Sequence, residues 1–220
     1  MLSPSLSLKR AGQLVMLLLF SFSVISLELD TKLLKFIQKR FGDQALERLH
    51  QWETLSNQKK SLPILQKLDQ VNHFFNRAKF VSDQEHWGKE DYWATPVELL
   101  ATNGGDCEDY SIAKYFTLRE MGVPDENLRI TYVKALKLDQ AHMVLAYYST
   151  PDAVPLILDN LMNDIKPATQ RNDLQPVYNF NGEGLWLSKL RGQEGKRIGS
   201  SSKLKSWQSL IERQHNLMFR

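Results

Sequence analysis

Residues 107–121, CEDYSIAKYFTLREM, dictate how the rest of this chain has to be arranged. At 100° per residue their apolar side chains occupy most of the circumference, so a helix here is buried on nearly every side. Gly104-Gly105 break the chain before it, Gly122 follows it and Pro124 lies beyond, the signals that bound a helix. Upstream the periodicity is helical. Residues 31–41 place Leu33, Leu34 and Ile37 on one face and stop at Gly42; a second helix runs from about Asp43 to Lys60; a third starts at Pro63 and carries Leu65, Leu68, Val71, Phe74 and Phe75. A polar loop, SDQEHWGKEDYW, leads to a short helix that opens with a Thr95 cap, Pro96 and Glu98. Downstream the period becomes strand-like in RITYVKAL, AHMVLAYY and VPLILDNL, and a strand pair turns around Asn181-Gly182 in PVYNFNGEGLWL. Helices first, one central buried helix, then antiparallel strands: the order predicts an α+β fold.

The 220 residues suit one domain, with 42% hydrophobic and 24% charged residues. A net charge of +3 gives no argument for nucleic acid. Lys9 and Arg10 precede an apolar run from Leu14 to Ser26 that is shorter than the roughly 20 residues of a spanning helix. Residues 1–26 therefore read as an export signal, with an uncleaved anchor as the alternative. The folded domain is expected over 27–190. The basic, Gly/Ser-rich stretch 191–206 reads as a mobile loop, and an amphipathic helix with Trp207, Leu210, Ile211, Leu217 and Met218 closes the chain.

The chain has one cysteine, so it forms no internal disulfide. Cys107 sits in GGDCEDYS, at the start of the buried helix, where unsatisfied N–H groups and the helix dipole favour a thiolate. A free cysteine is more often a small buried hydrophobe, but the glycine pair and flanking acids are no greasy setting. Nucleophilic catalysis also needs a base and a group to orient it. Alternation along AHMVLAYY puts His142 on one face with Val144, Ala146 and Tyr148, and Met143, Leu145 and Tyr147 on the other. Asp159 ends the apolar run Leu156-Ile157-Leu158, where a charge is costly without a partner. A hairpin turning at Thr150-Pro151 sets His142 directly opposite Asp159, with Cβ atoms about 4.5–5.5 Å apart. A strand-end histidine and a turn-starting aspartate are the plainer alternatives.

Asp106, Glu108 and Asp109 complement a helix N-terminus simply as charges. Beside a thiol they also raise its pKa by repulsion, and a bound divalent cation removes that conflict. An all-oxygen ligand set suits Ca2+ or Mg2+ better than zinc. Asp83, Glu85, Glu90 and Asp91 are the nearest donors for the remaining positions, and the spacing does not choose among them.

GGDCEDYSIAKY, AHMVLAYY and ILDNL, in this order and separation, resemble the bacterial transglutaminase-like cysteine proteinases over roughly residues 30–190. The resemblance implies a papain-like, transglutaminase-type fold, Cys107 as nucleophile, His142 as base, Asp159 as orienting acid, and calcium at Asp106, Glu108 and Asp109. It further implies a periplasmic endopeptidase that cleaves near the N-terminus of a large surface adhesin and releases cells from a biofilm. An inner-membrane receptor for cyclic di-GMP is the implied regulator. The Cys107 backbone N–H is the expected oxyanion donor, with Trp93 a candidate for a second. Rival readings are a transglutaminase that passes the acyl group to an amine, a non-catalytic calcium-responsive module, and zinc bound by Cys107, His142 and Asp159.

Overall fold

The computed structural model describes residues 27–58, 60–188 and 195–218; the expected export signal lies outside them. Helix α1 (Thr31–Phe41) starts where the Asp30 carboxylate accepts the N–H groups of Lys32 and Leu33, and it ends at Gly42, whose φ of 85° few other residues tolerate. Helices α2 (Asp43–Gln58) and α3 (Ile64–Phe75) follow, burying Leu49, Trp52, Leu68, Val71 and Phe75. Leu65, expected inward, is instead exposed. The polar loop contains β1 (Lys79–Phe80) at its approach and a single helical turn, α4 (Asp83–His86). Helix α5 (Pro96–Thr102) has the expected capping box: Glu98 N–H donates to Thr95 Oγ1, and Thr95 N–H donates to the Glu98 carboxylate. Strand β2 (Gly104–Gly105) pairs with β1 and delivers the chain into α6 (Cys107–Glu120).

Helix α6 is the buried element the sequence demands. Tyr110, Ile112, Ala113, Tyr115, Thr117 and Leu118 are all inaccessible. It packs against α3 and α5 on one side and β4 on the other, and Trp52 Nε1 donates to Thr117 Oγ1 at 2.7 Å to tie α2 to it. Each fully buried Leu or Ile here contributes about 1.5–3 kcal/mol. Gly122 follows with φ 83°.

The sheet comprises β3 (Leu128–Ala135), β4 (Gln140–Tyr147), β5 (Leu156–Leu158), β6 (Lys166–Pro167), β7 (Leu174–Phe180), β8 (Leu185–Leu187) and β9 (Arg197–Gly199), in the order β6-β5-β4-β3-β7-β8-β9 and antiparallel throughout. Met143, Leu145 and Tyr147 face the main core, while Val144 and Ala146 join Val133 and Ile157 in a small cluster of their own. Strand alternation along β4 is thus as read. The architecture is α+β, as predicted.

Two further expectations need correction. The β4–β5 register pairs Leu145 with Leu158 and Tyr147 with Leu156, two residues away from the one that sets His142 directly opposite Asp159. That register would have placed Pro155, which has no N–H, in the ladder against Ala146. An even shift keeps both side chains on one face, so the pair meets on the diagonal. Second, the stretch expected as a mobile loop contains, within its described part, β9, a turn at Ser201–Lys203 and the start of α7 (Lys205–Met218).

Candidate active site

Cys107 is the first residue of α6 and Asp106 its cap. The turn before it is so tight that a Cβ on Gly105 would lie 2.4 Å from Asp109 Oδ2 and 2.9 Å from a Leu99 methyl. Only glycine lets the backbone pass that close to the acid. The thiol is half-buried and opens onto a cleft of about 480 Å³ lined also by His142, Met143, Trp93, Tyr132, Tyr178 and Leu161. It is not sealed in the core. Tyr132 and Tyr178 stack with their centroids 5.0 Å apart on one wall, and Trp93 stacks on the buried Phe180 at 5.5 Å on another. The Trp93 indole N–H is committed to Asp91 Oδ1 at 2.9 Å, which removes Trp93 as a second oxyanion donor in this arrangement.

His142 and Asp159 are both buried, and His142 Nε2 bonds Asp159 Oδ1 at 2.8 Å. With Nε2 donating, Nδ1 is left as the ring's acceptor. Asp159 Oδ1 also accepts the Leu161 N–H at 2.9 Å, and Oδ2 accepts Arg171 Nη2 at 2.6 Å. Burial alone would raise this carboxyl. The bond and charge of His142, the Leu161 N–H and Arg171 overcome it and hold Asp159 down to about 2. Asn76 at the end of α3 donates to the Asp159 carbonyl and to Asn163 Oδ1, both at 2.8 Å, pinning the loop that carries the acid.

The thiol itself points to an acid: Cys107 Sγ donates to Glu108 Oε2 at 3.0 Å. Burial pushes its pKa up, and Glu108 and Asp106 push it further. While the carboxylates stand uncompensated, burial and the two acids outweigh the helix end, the conflict expected from the sequence. The acids are in conflict among themselves as well. Burial and neighbouring charge raise Asp83 to about 6 and Asp106 to about 8, and burial raises Asp109 well above the carboxylate range.

Ligand atoms of Asp83, Asp106 and Asp109 lie within 4.8 Å of one another, as do those of Asp83, Asp91 and Glu108. Asp83 Oδ1 and Asp106 Oδ1 are buried without any hydrogen-bond partner. Orphaned buried carboxylate oxygens, converging in an all-oxygen set, fit a hard divalent cation. Asp109 stands differently: its Oδ1 accepts the Ala94 N–H at 2.6 Å and its Oδ2 the Asp106 N–H at 3.2 Å.

Residues 34–175 match the model of the family described as bacterial transglutaminase-like cysteine proteinase, BTLCP. The chain belongs to this family. Among solved structures it is similar to Legionella pneumophila LapG. The EGTA-treated form is 44% identical with a TM-score of 0.75, covering 86% of this chain and 97% of that one. The calcium-bound form is 45% identical with a TM-score of 0.72, covering 86% and 99%. No curated protein matches. Membership of the transglutaminase-like proteinases agrees with the papain-like arrangement of a helix-borne cysteine against an antiparallel sheet.

Sequence reasoning left three residues of this proteinase site unassigned. Asp83 was one of four loop donors, and its burial within α4 singles it out. Arg171 follows the turn after β6, in a stretch without periodicity, so nothing linear pointed to it. Lys114 was within reach of a helical wheel: it lies seven residues after Cys107 on the same face of α6, fully buried, and burial lowers it to about 7 against the opposing charge of Asp159.

Proposed function

We propose that this chain is an exported, calcium-dependent cysteine endopeptidase of the periplasm, with Cys107 as nucleophile, His142 as base and Asp159 as the acid that orients it. The observation that carries the reading is the 2.8 Å bond from His142 Nε2 to Asp159 Oδ1, beside a cleft that His142 shares with Cys107. Nδ1 of His142 takes the thiol proton, and the sulfur attacks the scissile carbonyl. The imidazolium, stabilised by Asp159, returns the proton to the leaving amine, and water activated by the same ring releases the acyl group. The Cys107 backbone N–H, at the first position of α6 and free of an intrahelical partner, is placed to hold the oxyanion.

Asp83, Asp106 and Glu108, with Asp91 and Asp109 beside them, would hold the cation. Bound there, calcium supplies the positive charge that Cys107 needs to ionise between carboxylates. Two features support it: the orphaned oxygens of Asp83 and Asp106, and the calcium-bound form of the Legionella relative. The family resemblance supports the rest: a large surface adhesin cut near its N-terminus, release from a biofilm, and restraint by a cyclic-di-GMP-responsive inner-membrane receptor.

The test is to incubate the purified protein with the N-terminal region of a large surface adhesin encoded in the same cell. Cleavage is expected with calcium, and its loss is expected with EGTA or in Cys107→Ala. Cleavage by Cys107→Ala, or cleavage indifferent to EGTA, overturns the reading. An added amine joined to the product instead of water would mark a transglutaminase.

A further inference from the structure

Behind His142 and Asp159 the chain buries more charge than the chemistry so far uses. Arg171 is 4% exposed, and its guanidinium is fully engaged on one side: Nη2 donates to Asp159 Oδ2 at 2.6 Å and to Asp173 Oδ2 at 2.8 Å, while Nε donates to Asp173 Oδ1 at 3.0 Å. The result is a continuous line, Asp173–Arg171–Asp159–His142, that ends at the base. A buried ion pair of this kind contributes little net stability, because desolvation offsets its Coulomb attraction, and an apolar replacement of similar volume is often as stable. Stability is thus a poor reason for its presence.

We propose that Arg171 is a positioning residue for the proteolytic chemistry: by clamping one oxygen of Asp159 it fixes the carboxylate plane, so that the other oxygen holds Nε2–H of His142 and leaves Nδ1 for the thiol. This rests on the reading of Cys107, His142 and Asp159 as a catalytic set. Without the clamp, the carboxylate can rotate, and the imidazole can take the other tautomer, which presents a proton to the sulfur where an acceptor is required. Asp173 is the anchor that gives the guanidinium one orientation, through two parallel bonds that a lysine cannot make.

The clamp also has a charge effect. The groups that face Asp159 are His142 from β4, Lys114 from α6, the Leu161 N–H of its own loop, and Arg171, with Asp173 behind it. Lys114 is itself fully buried, and burial lowers it to about 7, whereas the Arg171 guanidinium keeps its charge throughout the working pH range. Removing it leaves burial less opposed, and the Asp159 carboxyl must then titrate at a higher pH.

The variants Arg171→Met, Arg171→Lys and Asp173→Asn test this, with two readouts. The first is cleavage of the adhesin fragment. At unchanged KM, kcat for Arg171→Met should fall between about tenfold and the roughly 10,000-fold seen when a triad carboxylate is itself neutralised. Arg171→Lys and Asp173→Asn should fall less, and the acid limb for Arg171→Met should move to higher pH. The second is ¹⁵N and ¹H NMR of the His142 ring, which needs no substrate. The wild type should show one tautomer with a slowly exchanging Nε2–H, and Arg171→Met should exchange that proton at least tenfold faster. Should Arg171→Met fail to fold, Asp173→Asn and Arg171→Lys carry the same comparison. A folded variant with wild-type kcat, pH profile and Nε2–H exchange overturns the proposal. If the wild type does not cleave, or Cys107→Ala does, the proteolytic reading fails instead, and the NMR comparison still reports whether Arg171 holds the pair.

Discussion

An aspartate free in water ionises near pH 4, yet Asp83 and Asp106 reach only about 6 and about 8 in this fold. Burial is the first cause, and each then suffers the charge of its neighbours. A carboxyl with a raised folded pKa favours the fold fully below its unfolded value and loses that contribution as pH rises through the folded one. The metal-free protein should therefore become less stable from about pH 4 to about pH 8. Saturating calcium should flatten this slope. Urea unfolding in EGTA and in calcium across that range checks it, and a flat profile in EGTA would show that these acids are not strained. The same residues mark what a sequence can disclose. Cys107, its acids, His142 and Asp159 each stand at a point where a regular pattern breaks: a helix start, a strand entrance, the end of an apolar run. Arg171 breaks no pattern, because its loop has none. Its importance appears only when folding carries it to Asp159, twelve residues away.

The elements that position the site extend past the segment 34–175 matched by the family model. Helix α7 reaches back to the cleft. Arg213 donates to the Trp93 carbonyl, lies 4.5 Å from the centre of the Tyr92 ring and pairs with Glu98 at 3.5 Å; Ser206 Oγ donates to Asp91 Oδ2 at 2.8 Å. Trp207 anchors the helix, stacking on Phe116 and meeting Phe180 edge-on. Arg213→Ala should cost about 1–3 kcal/mol in urea unfolding, the range for a bond to a charged group left unmade. It should also slow cleavage, since Trp93 forms a wall of the cleft. Unchanged cleavage in a destabilised variant would reduce α7 to a brace. The helix itself was legible from its apolar spacing. Strand β9 was not, because three residues at a sheet edge amid glycine and serine carry too short a pattern. The β4–β5 register was legible only to its face, since alternation fixes parity while Pro155 decides which pairs form.

At the scale of the molecule, the helical layer holds the sulfur and the acids, and the sheet brings His142 with Asp159 at the end of β5. Helix α6 lies between them with nearly every side chain covered. That division is why the layers could be read from periodicity, whereas the meeting of their edges could not. It also makes the thiol's state depend on charge balance at one seam, where the Cys107 thiol donates to Glu108 in the cleft that His142 shares. The rate of Cys107 alkylation by iodoacetamide at neutral pH reads that balance directly. Fast alkylation in calcium, slowed at least tenfold by EGTA and equally by His142→Ala, is the expected result. An alkylation rate that neither EGTA nor His142→Ala changes would contradict the account.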